Sequence, residues 1–356
     1  MSTQKIRVLV VDDSTFAVSV ISKKLGEDPE LQVIGTAHNG KEAIEKIKEL
    51  KPDVVTLDIA MPVMDGMSAL ETIMEYNPVP VIMLSALTSE NAEITLRALE
   101  IGAVDFFLKP SILSPAGDGE STGTLIEKIK LAAKIGSYSR KLSSRFNNLK
   151  AQEKVETSLP IKKLVVIGSS TGGPRALMEI VPELPADIPA SILIVQHMPP
   201  VFTKSLAERL NSASKLKVKE ASQDDSIEQG QVLVAPGGYH MKINMDKKVE
   251  LTKDPPVLGV RPSVDVTMQS AVEVFGNSVI GVILTGMHTD GTYGASLIKR
   301  AGGKVLTQDE STSAVFGMPK SVISAGYADK IVPIHKMAGE IVRFCTEEKT
   351  LIRGHR

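Results

Sequence analysis

The sequence predicts an α/β protein of two domains: an N-terminal (βα)5 domain on one parallel sheet, then a C-terminal doubly wound, mostly parallel α/β domain. Three observations lead there. The chain has 356 residues, more than one compact core at about 150 residues per domain. Short β-branched runs alternate with amphipathic stretches of helical length through both halves, the pattern of parallel strands joined by crossover helices. Between the halves the text turns to IGSYSRKLSSRFNNLKAQEKVETSLP, rich in Ser and Asn and without a sustained apolar period. The expected domains are residues 5–134 and 161–350, with a linker at 135–160.

In the first half the expected strands are Ile6–Val11, Gln32–Ala37, Val54–Leu57, Val81–Ser85 and Asp105–Leu108. Helices are expected at Phe16–Leu25, Lys41–Leu50, Ser68–Tyr76, Asn91–Leu99 and Thr124–Ala133, where apolar residues recur at roughly helical spacing. In the second half, strands are expected from Leu164–Ile167 through Ser191–Gln196, Gln231–Ala235 and Val279–Leu284 to Lys304–Thr307. Helices there are expected at Pro174–Val181, Thr203–Asn211, Val264–Phe275, Thr292–Arg300 and Pro319–Ala325, with a loop at Asp254-Pro-Pro.

Composition narrows the function classes. Hydrophobic residues make up 42% and charged residues 23%, an ordinary globular mixture. Forty-one basic against forty-two acidic residues give a net charge of −1, so no global field gathers nucleic acid or an anionic membrane. The single Cys345 excludes a disulfide scaffold and Cys-rich zinc sites. The start MSTQKIRVLVVDDS lacks the apolar run of a signal segment, and no stretch is long enough to span a bilayer. The expectation is a cytoplasmic protein with no nucleic-acid partner and no membrane insertion.

Two groups of residues carry chemistry. The first strand delivers Asp12 and Asp13 at its carboxyl end, the third delivers Asp58, the fourth Ser85, and the fifth Lys109. In an open parallel sheet ligands gather outside the carboxyl ends of the strands, so these side chains converge. Three carboxylates repel one another, and a hard divalent cation with oxygen ligands, Mg²⁺, relieves that repulsion. Asp58 is then the carboxylate nucleophile toward a phosphoryl donor, Lys109 the neutralising charge and Ser85 a hydrogen-bond donor to the phosphoryl oxygens. Taken singly, Asp12 or Asp13 also fits a helix cap, and Lys109 a solvated lysine.

Together VDDS, LDIAMPVMDG, MLSA and FFLKP resemble the response-regulator receiver domain. The resemblance implies that Asp12, Asp13 and Asp58 bind Mg²⁺ and that a histidine-kinase partner phosphorylates Asp58. It also implies glutamate where Ala60 stands in receivers attached to this kind of second domain, a departure that leaves the phosphorylation residues intact.

The second group begins at Gly168-Ser-Ser-Thr-Gly, a G-x-S-x-G turn after a buried strand, with Ser170 as candidate nucleophile. The helix behind it offers unpaired N–H groups, of which the one at Thr171 is the first choice as oxyanion donor. Among six histidines, His197 follows a strand of the same sheet, while His240 and His288 stay open as loop alternatives. Asp290, in a glycine-flanked turn after Val279–Leu284, is the candidate orienting carboxylate. The chain order Ser170, His197, Asp290 differs from the Ser, acid, His order of α/β-hydrolases.

GSSTGGP, VQHMPPVFTKSLAERLN, VLVAPGGYHM, RPSVDVTMQSA, LTGMHTDG and QDESTSAVFGMPKSV resemble, in order, the catalytic domain of the chemotaxis protein-glutamate methylesterase family. With the receiver in front, the likeness runs through nearly the whole chain. It implies hydrolysis of glutamyl methyl esters on the cytoplasmic helices of methyl-accepting chemoreceptors, and deamidation of receptor glutamines, with no cofactor for the esterase chemistry. The family's triad falls on Ser170, His197 and Asp290, and Thr171 and Met287 lie beside the nucleophile, Met287 as a further oxyanion donor. Arg261 is weighed against the substrate helix and against a structural role, and the structural role is favoured.

The coupling expected is that the unphosphorylated receiver covers the Ser170 site and that phosphorylation loosens the contact. Two rivals fit less well. A DNA-binding regulator lacks a basic helix-turn-helix segment after the linker, and a nicotinamide oxidoreductase lacks G-x-G-x-x-G and the acidic residue ending its next strand.

Overall fold

The computed structural model describes residues 4–109, 122–135 and 162–347. The chain divides into two compact units, Met1–Leu149 and Lys150–Arg356. Most of the expected linker, residues 136–160, lies outside the described residues, as do residues 348–350 at the end of the second expected domain.

The first unit follows the order β1 (Ile6–Val11), α1 (Thr15–Gly26), β2 (Leu31–Ala37), α2 (Gly40–Leu50), β3 (Val54–Asp58), α3 (Gly66–Tyr76), β4 (Val81–Ser85), α4 (Ser89–Ile101), β5 (Asp105–Leu108) and α5 (Thr122–Ile135). Its five strands lie in the order β2-β1-β3-β4-β5, all parallel. A sheet covered by helices on both faces needs near-continuous apolar strands, and β3 and β4 are buried at every position. Val8, Val10, Ile21, Leu25, Phe107, Leu125 and Ile129 share one core. The helices start on side-chain caps: Ser14 accepts from Ala17 N, Asn39 from Glu42 N, Asp65 from Ser68 N and Thr88 from Asn91 N. Ser14 therefore caps α1, which leaves Asp12 and Asp13 for the strand-end cluster.

The second unit runs β6 (Lys163–Ser169), α6 (Gly173–Ile180), β7 (Ala190–Gln196), α7 (Phe202–Ala213), β8 (Lys217–Glu220), β9 (Gln231–Val234), β10 (His240–Ile243), β11 (Val249–Thr252), α8 (Val264–Phe275), β12 (Val279–Ile283), α9 (Thr292–Arg300), β13 (Lys304–Gln308), α10 (Gly317–Ser324), β14 (Lys330–Val332) and α11 (Ile334–Thr346). Seven parallel strands lie in the order β14-β13-β12-β6-β7-β9-β8. The chain leaves β6 for β7 on one side and returns by α8 to β12 on the other, so the strand order reverses at β6. Crevices open at such a reversal, outside the carboxyl ends of the strands. Val166, Leu193, Val195, Val264, Met268, Ile298 and Val305 fill the core beneath it.

Several elements of this unit go beyond the sequence expectations. The β10 and β11 strands form an antiparallel hairpin, fastened to α8 by Thr267 Oγ1 donating to Met241 O at 2.7 Å and Ile243 N donating to Ser270 Oγ at 3.0 Å. Strands β8 and β14 are the sheet edges, short and charged, which blunts the apolar signal by which a strand is read. Helix α11 carries a signal the sequence contains, with Ile334, Met337, Ile341 and Phe344 buried at helical spacing.

Candidate functional site

Ser170, His197 and Asp290 follow β6, β7 and β12, the three neighbouring strands at the reversal. Gly172 caps α6 with φ +77°, a left-handed conformation that bends the chain sharply between nucleophile and helix. Gly286 lies against the same turn: a Cβ there would meet Ser170 Cβ at 2.8 Å and Met318 Sδ at 2.3 Å. Ser170 N donates to Thr285 O at 3.0 Å, and Thr285 Oγ1 donates to Thr171 O at 2.9 Å, tying the turn to the end of β12. Gln196 reaches from β7 to fasten both partners, its Nε2 donating to Ser170 O at 2.9 Å and to His197 O at 3.2 Å.

His197 Nε2 lies 2.7 Å from Asp290 Oδ2. With the carboxylate accepting at Nε2, the proton sits there and the lone pair sits on Nδ1. That nitrogen is buried and has no hydrogen-bond partner. The ring is therefore turned end for end relative to the common arrangement, in which Nδ1 meets the acid. Ser170 Oγ makes no hydrogen bond among the described residues. In substrate-free enzymes such contacts are commonly long and tighten when substrate binds.

Asp290 is fully buried, with its side chain 0% exposed, and its two oxygens are filled with donors. Oδ2 also accepts from Val264 N at 2.7 Å, and Oδ1 accepts from Ser263 Oγ at 2.8 Å, Asp265 N at 3.0 Å and Gly291 N at 3.1 Å. The carboxylate thus sits at the N-terminus of α8, where the helix dipole favours negative charge. Burial alone would push its carboxyl up, but the hydrogen bond and charge of His197, with the Asp265 and Val264 N–H groups, hold it below the ordinary range.

For the oxyanion, Ser170 N–H is already spent on Thr285 O. Met287 N–H, in the loop after Gly286, has no acceptor among the described residues. Of the two alternatives, His240 Nε2 is 3.1 Å from Pro255 O, and His288 is exposed with φ +68°. Arg261 clamps its own loop, donating to Lys253 O at 3.0 Å and Asp254 O at 2.9 Å.

In the first unit, carboxylate oxygens of Asp12, Asp13 and Asp58 lie within 4.8 Å of one another. Lys109 Nζ bridges two of them, at 2.9 Å from Asp12 Oδ2 and 3.0 Å from Asp58 Oδ2. Asp12 and Asp58 are buried and Asp13 is exposed. Burial pushes the Asp58 carboxyl up to about 6; Lys109 opposes that shift and Asp12 adds to it. Burial pulls Lys109 down, but its hydrogen bond to Asp12 and the charge of Asp58 prevail and raise it. Three carboxylates sharing one ammonium leave a net negative, all-oxygen donor set, which fits a hard divalent cation. Ser85 Oγ is buried and lies 2.9 Å from Thr95 Oγ1 of α4. Ala60 is exposed.

The signals for Gln196, Thr285 and Asp265 were weak in the sequence, because each acts on backbone brought close only by the tertiary fold. Gln196 offered the best one, as an amide ending an otherwise apolar strand beside His197.

Comparison with known proteins bears on both units. Residues 165–341 match the family described as CheB methylesterase, and residues 8–114 the response regulator receiver domain. A protein-glutamate methylesterase/protein-glutamine glutaminase of Pyrococcus abyssi is 47% identical over 347 residues, covering 96% of this chain and 94% of the relative. Its counterpart in Archaeoglobus fulgidus is 50% identical over 350 residues, covering 95% and 97%. The crystal structure of the Thermotoga maritima CheB methylesterase catalytic domain matches with TM-score 0.50 and 50% identity, covering 51% of this chain and 97% of that one.

Proposed function

The chain belongs to the protein-glutamate methylesterase/protein-glutamine glutaminase family, and we propose that Ser170, His197 and Asp290 perform its hydrolysis under control of phosphorylation at Asp58. A receiver joined to a methylesterase domain makes the enzyme a response regulator of chemotaxis. Its substrates are glutamyl methyl esters, and glutamine amides, on the cytoplasmic helices of methyl-accepting chemoreceptors.

Ser170 Oγ attacks the acyl carbon while its proton passes to His197 Nδ1, and Asp290 stabilises the imidazolium through Nε2. The Met287 N–H, with the Thr171 N–H, stabilises the oxyanion of the tetrahedral intermediate. His197 then returns the proton to leaving methanol or ammonia, and water attacks the acyl-serine to release the carboxylate. One observation carries this: the 2.7 Å contact between His197 Nε2 and Asp290 Oδ2, with the other ring nitrogen buried and unpaired.

In the receiver, an Asp58 oxygen attacks the phosphorus of a kinase phosphohistidine, and the bond from phosphorus to the donor nitrogen breaks. Lys109 neutralises the new phosphoryl oxygens, and Ser85 turns its hydroxyl hydrogen from Ala86 O to donate to them. Asp12, Asp13 and Asp58 would hold Mg²⁺, which supplies charge neutralisation at the phosphoryl group. Phosphorylation adds about −1.5 to −2 charges at neutral pH and releases the restraint of the receiver on the esterase.

The test uses two substrates, a methylated receptor read by methanol release and its glutamine-bearing form read by ammonia release. His197→Ala is expected to lower both rates by about 10⁶-fold. Either product forming at the wild-type rate would remove His197 from its role.

A further inference from the structure

The two acids at the start of α8 and α9 serve each other's helices. Asp290 stands just before α9, yet it accepts from Ser263 Oγ, Val264 N and Asp265 N at the start of α8. Asp265, in the first turn of α8, sends Oδ1 the other way, accepting from Gly291 N at 2.9 Å and Gly294 N at 2.7 Å at the start of α9.

Neither helix caps itself. Gly291, at the N-cap of α9, has no side chain to give, and Ser263, at the N-cap of α8, makes no side-chain bond to its own helix. The first N–H groups of a helix need acceptors from outside it; here α8 takes them from Asp290, and α9 from Asp265, with Gly291 N shared between Asp265 Oδ1 and, at 3.1 Å, Asp290 Oδ1. The choice of a second acid is costly, because Asp265 is only 8% exposed and lies beside the Asp290 carboxylate. A cap of α9 alone could be neutral and solvated. What the buried exchange adds is a fixed register between the two helix starts, and the turn held in that register is the one that carries Asp290.

Resting on the triad assignment of Asp290, we propose that Asp265 is a positioning residue: by binding Gly291 and Gly294 it fixes the Asp290–Gly291 turn and keeps Asp290 Oδ2 against His197 Nε2. It touches neither substrate nor imidazole. Burial and the Asp290 charge push the Asp265 carboxyl up to about 6, against the pull of the Gly294 and Gly291 N–H groups. Both contacts end on the single oxygen Oδ1, so a neutral side chain that keeps that acceptor should serve in its place.

The experiment compares Asp265→Ala, Asp265→Asn and Asp265→Glu in the full chain, measuring kcat and KM for methanol release per folded enzyme, with Asp290→Asn as the reference. Misplacing a catalytic group by about 1 Å costs about 10²-fold. Asp265→Ala should lower kcat between about ten- and a hundredfold with KM within about twofold, and Asp265→Asn should restore it. Asp265→Glu, which keeps the charge but displaces the oxygen by one methylene, should stay impaired. Wild-type kcat in Asp265→Ala, or Asp265→Asn no better than Asp265→Glu, would overturn the proposal. If the alanine variant does not fold, the Asn against Glu comparison decides. An active Asp290→Asn would instead overturn the triad assignment, which separates the two failures.

Discussion

Replacing Asp290 by asparagine removes one acceptor oxygen at the most crowded point of the site and changes little in volume. The carboxylate accepts five hydrogen bonds, two at Oδ2 and three at Oδ1. The asparagine carbonyl can take the Oδ1 place and keep Ser263 Oγ, Asp265 N and Gly291 N. Its NH2 then faces Val264 N–H and His197 Nε2–H, a donor against two donors. The Val264 N–H is left buried and unpaired, at a cost of about 1–3 kcal/mol. At about 2–4 °C per kcal/mol for a domain of this size, unfolding should come about 2–12 °C lower. The imidazole escapes the clash by moving its proton to Nδ1, and so loses the lone pair that Ser170 needs. In a comparable triad a wrong tautomer lowers kcat by about 10⁴-fold, or about 5.4 kcal/mol of barrier. The assay is the initial rate of methanol release from methylated receptor at saturating substrate, with thermal unfolding on the same sample. A folded Asp290→Asn enzyme with more than about a tenth of wild-type kcat would refute the reasoning.

Other consequences concern the receiver. Asp58→Asn should abolish the increase in esterase rate that a small phosphodonor gives the intact chain, measured as methanol release with and without the donor; a full response would place the phosphate elsewhere. Since the Asp58 carboxyl is raised to about 6 from 3.8, folding of the metal-free receiver takes up a proton, and its stability contribution is present at low pH and lost as pH rises through about 6. Mg²⁺ needs the carboxylate form, so its stabilising effect should grow over the same range, with a larger rise in unfolding midpoint at about pH 7.5 than at about pH 5. An equal rise at both would contradict the assignment of Asp58 as a ligand.

Much of this arrangement was legible in the sequence, for a topological reason. Side chains at the carboxyl ends of parallel strands or in the loops that follow share one rim of a sheet, so Asp12, Asp58 and Lys109, or Ser170, His197 and Asp290, could be grouped without knowing strand order. Strand order itself decides the rest. That β6 lies between β7 and β12 puts the strand of the serine beside the strands of both its partners, and a list of strands does not contain that fact. The orientation of His197 was likewise hidden, since Nε2 meets an acid whose oxygens are held at the start of α8 by contacts distant in sequence. Asp265 and Ser263 sat inside a motif already noticed, but their partners lie across a helix pair whose contact no local pattern encodes. At the sheet edges β8 and β14 escape a sequence reading because strands of only three or four residues, interrupted by lysines, carry little periodic signal.

Ser170→Ala in the full chain, with its fold verified by circular dichroism, separates nucleophilic catalysis at this hydroxyl from every alternative in which the turn merely binds. Methanol release from methylated receptor should fall to the rate seen without enzyme, as should ammonia release from the glutamine form. A folded Ser170→Ala protein that still turns over either substrate at a tenth of the wild-type rate or more would contradict the assignment.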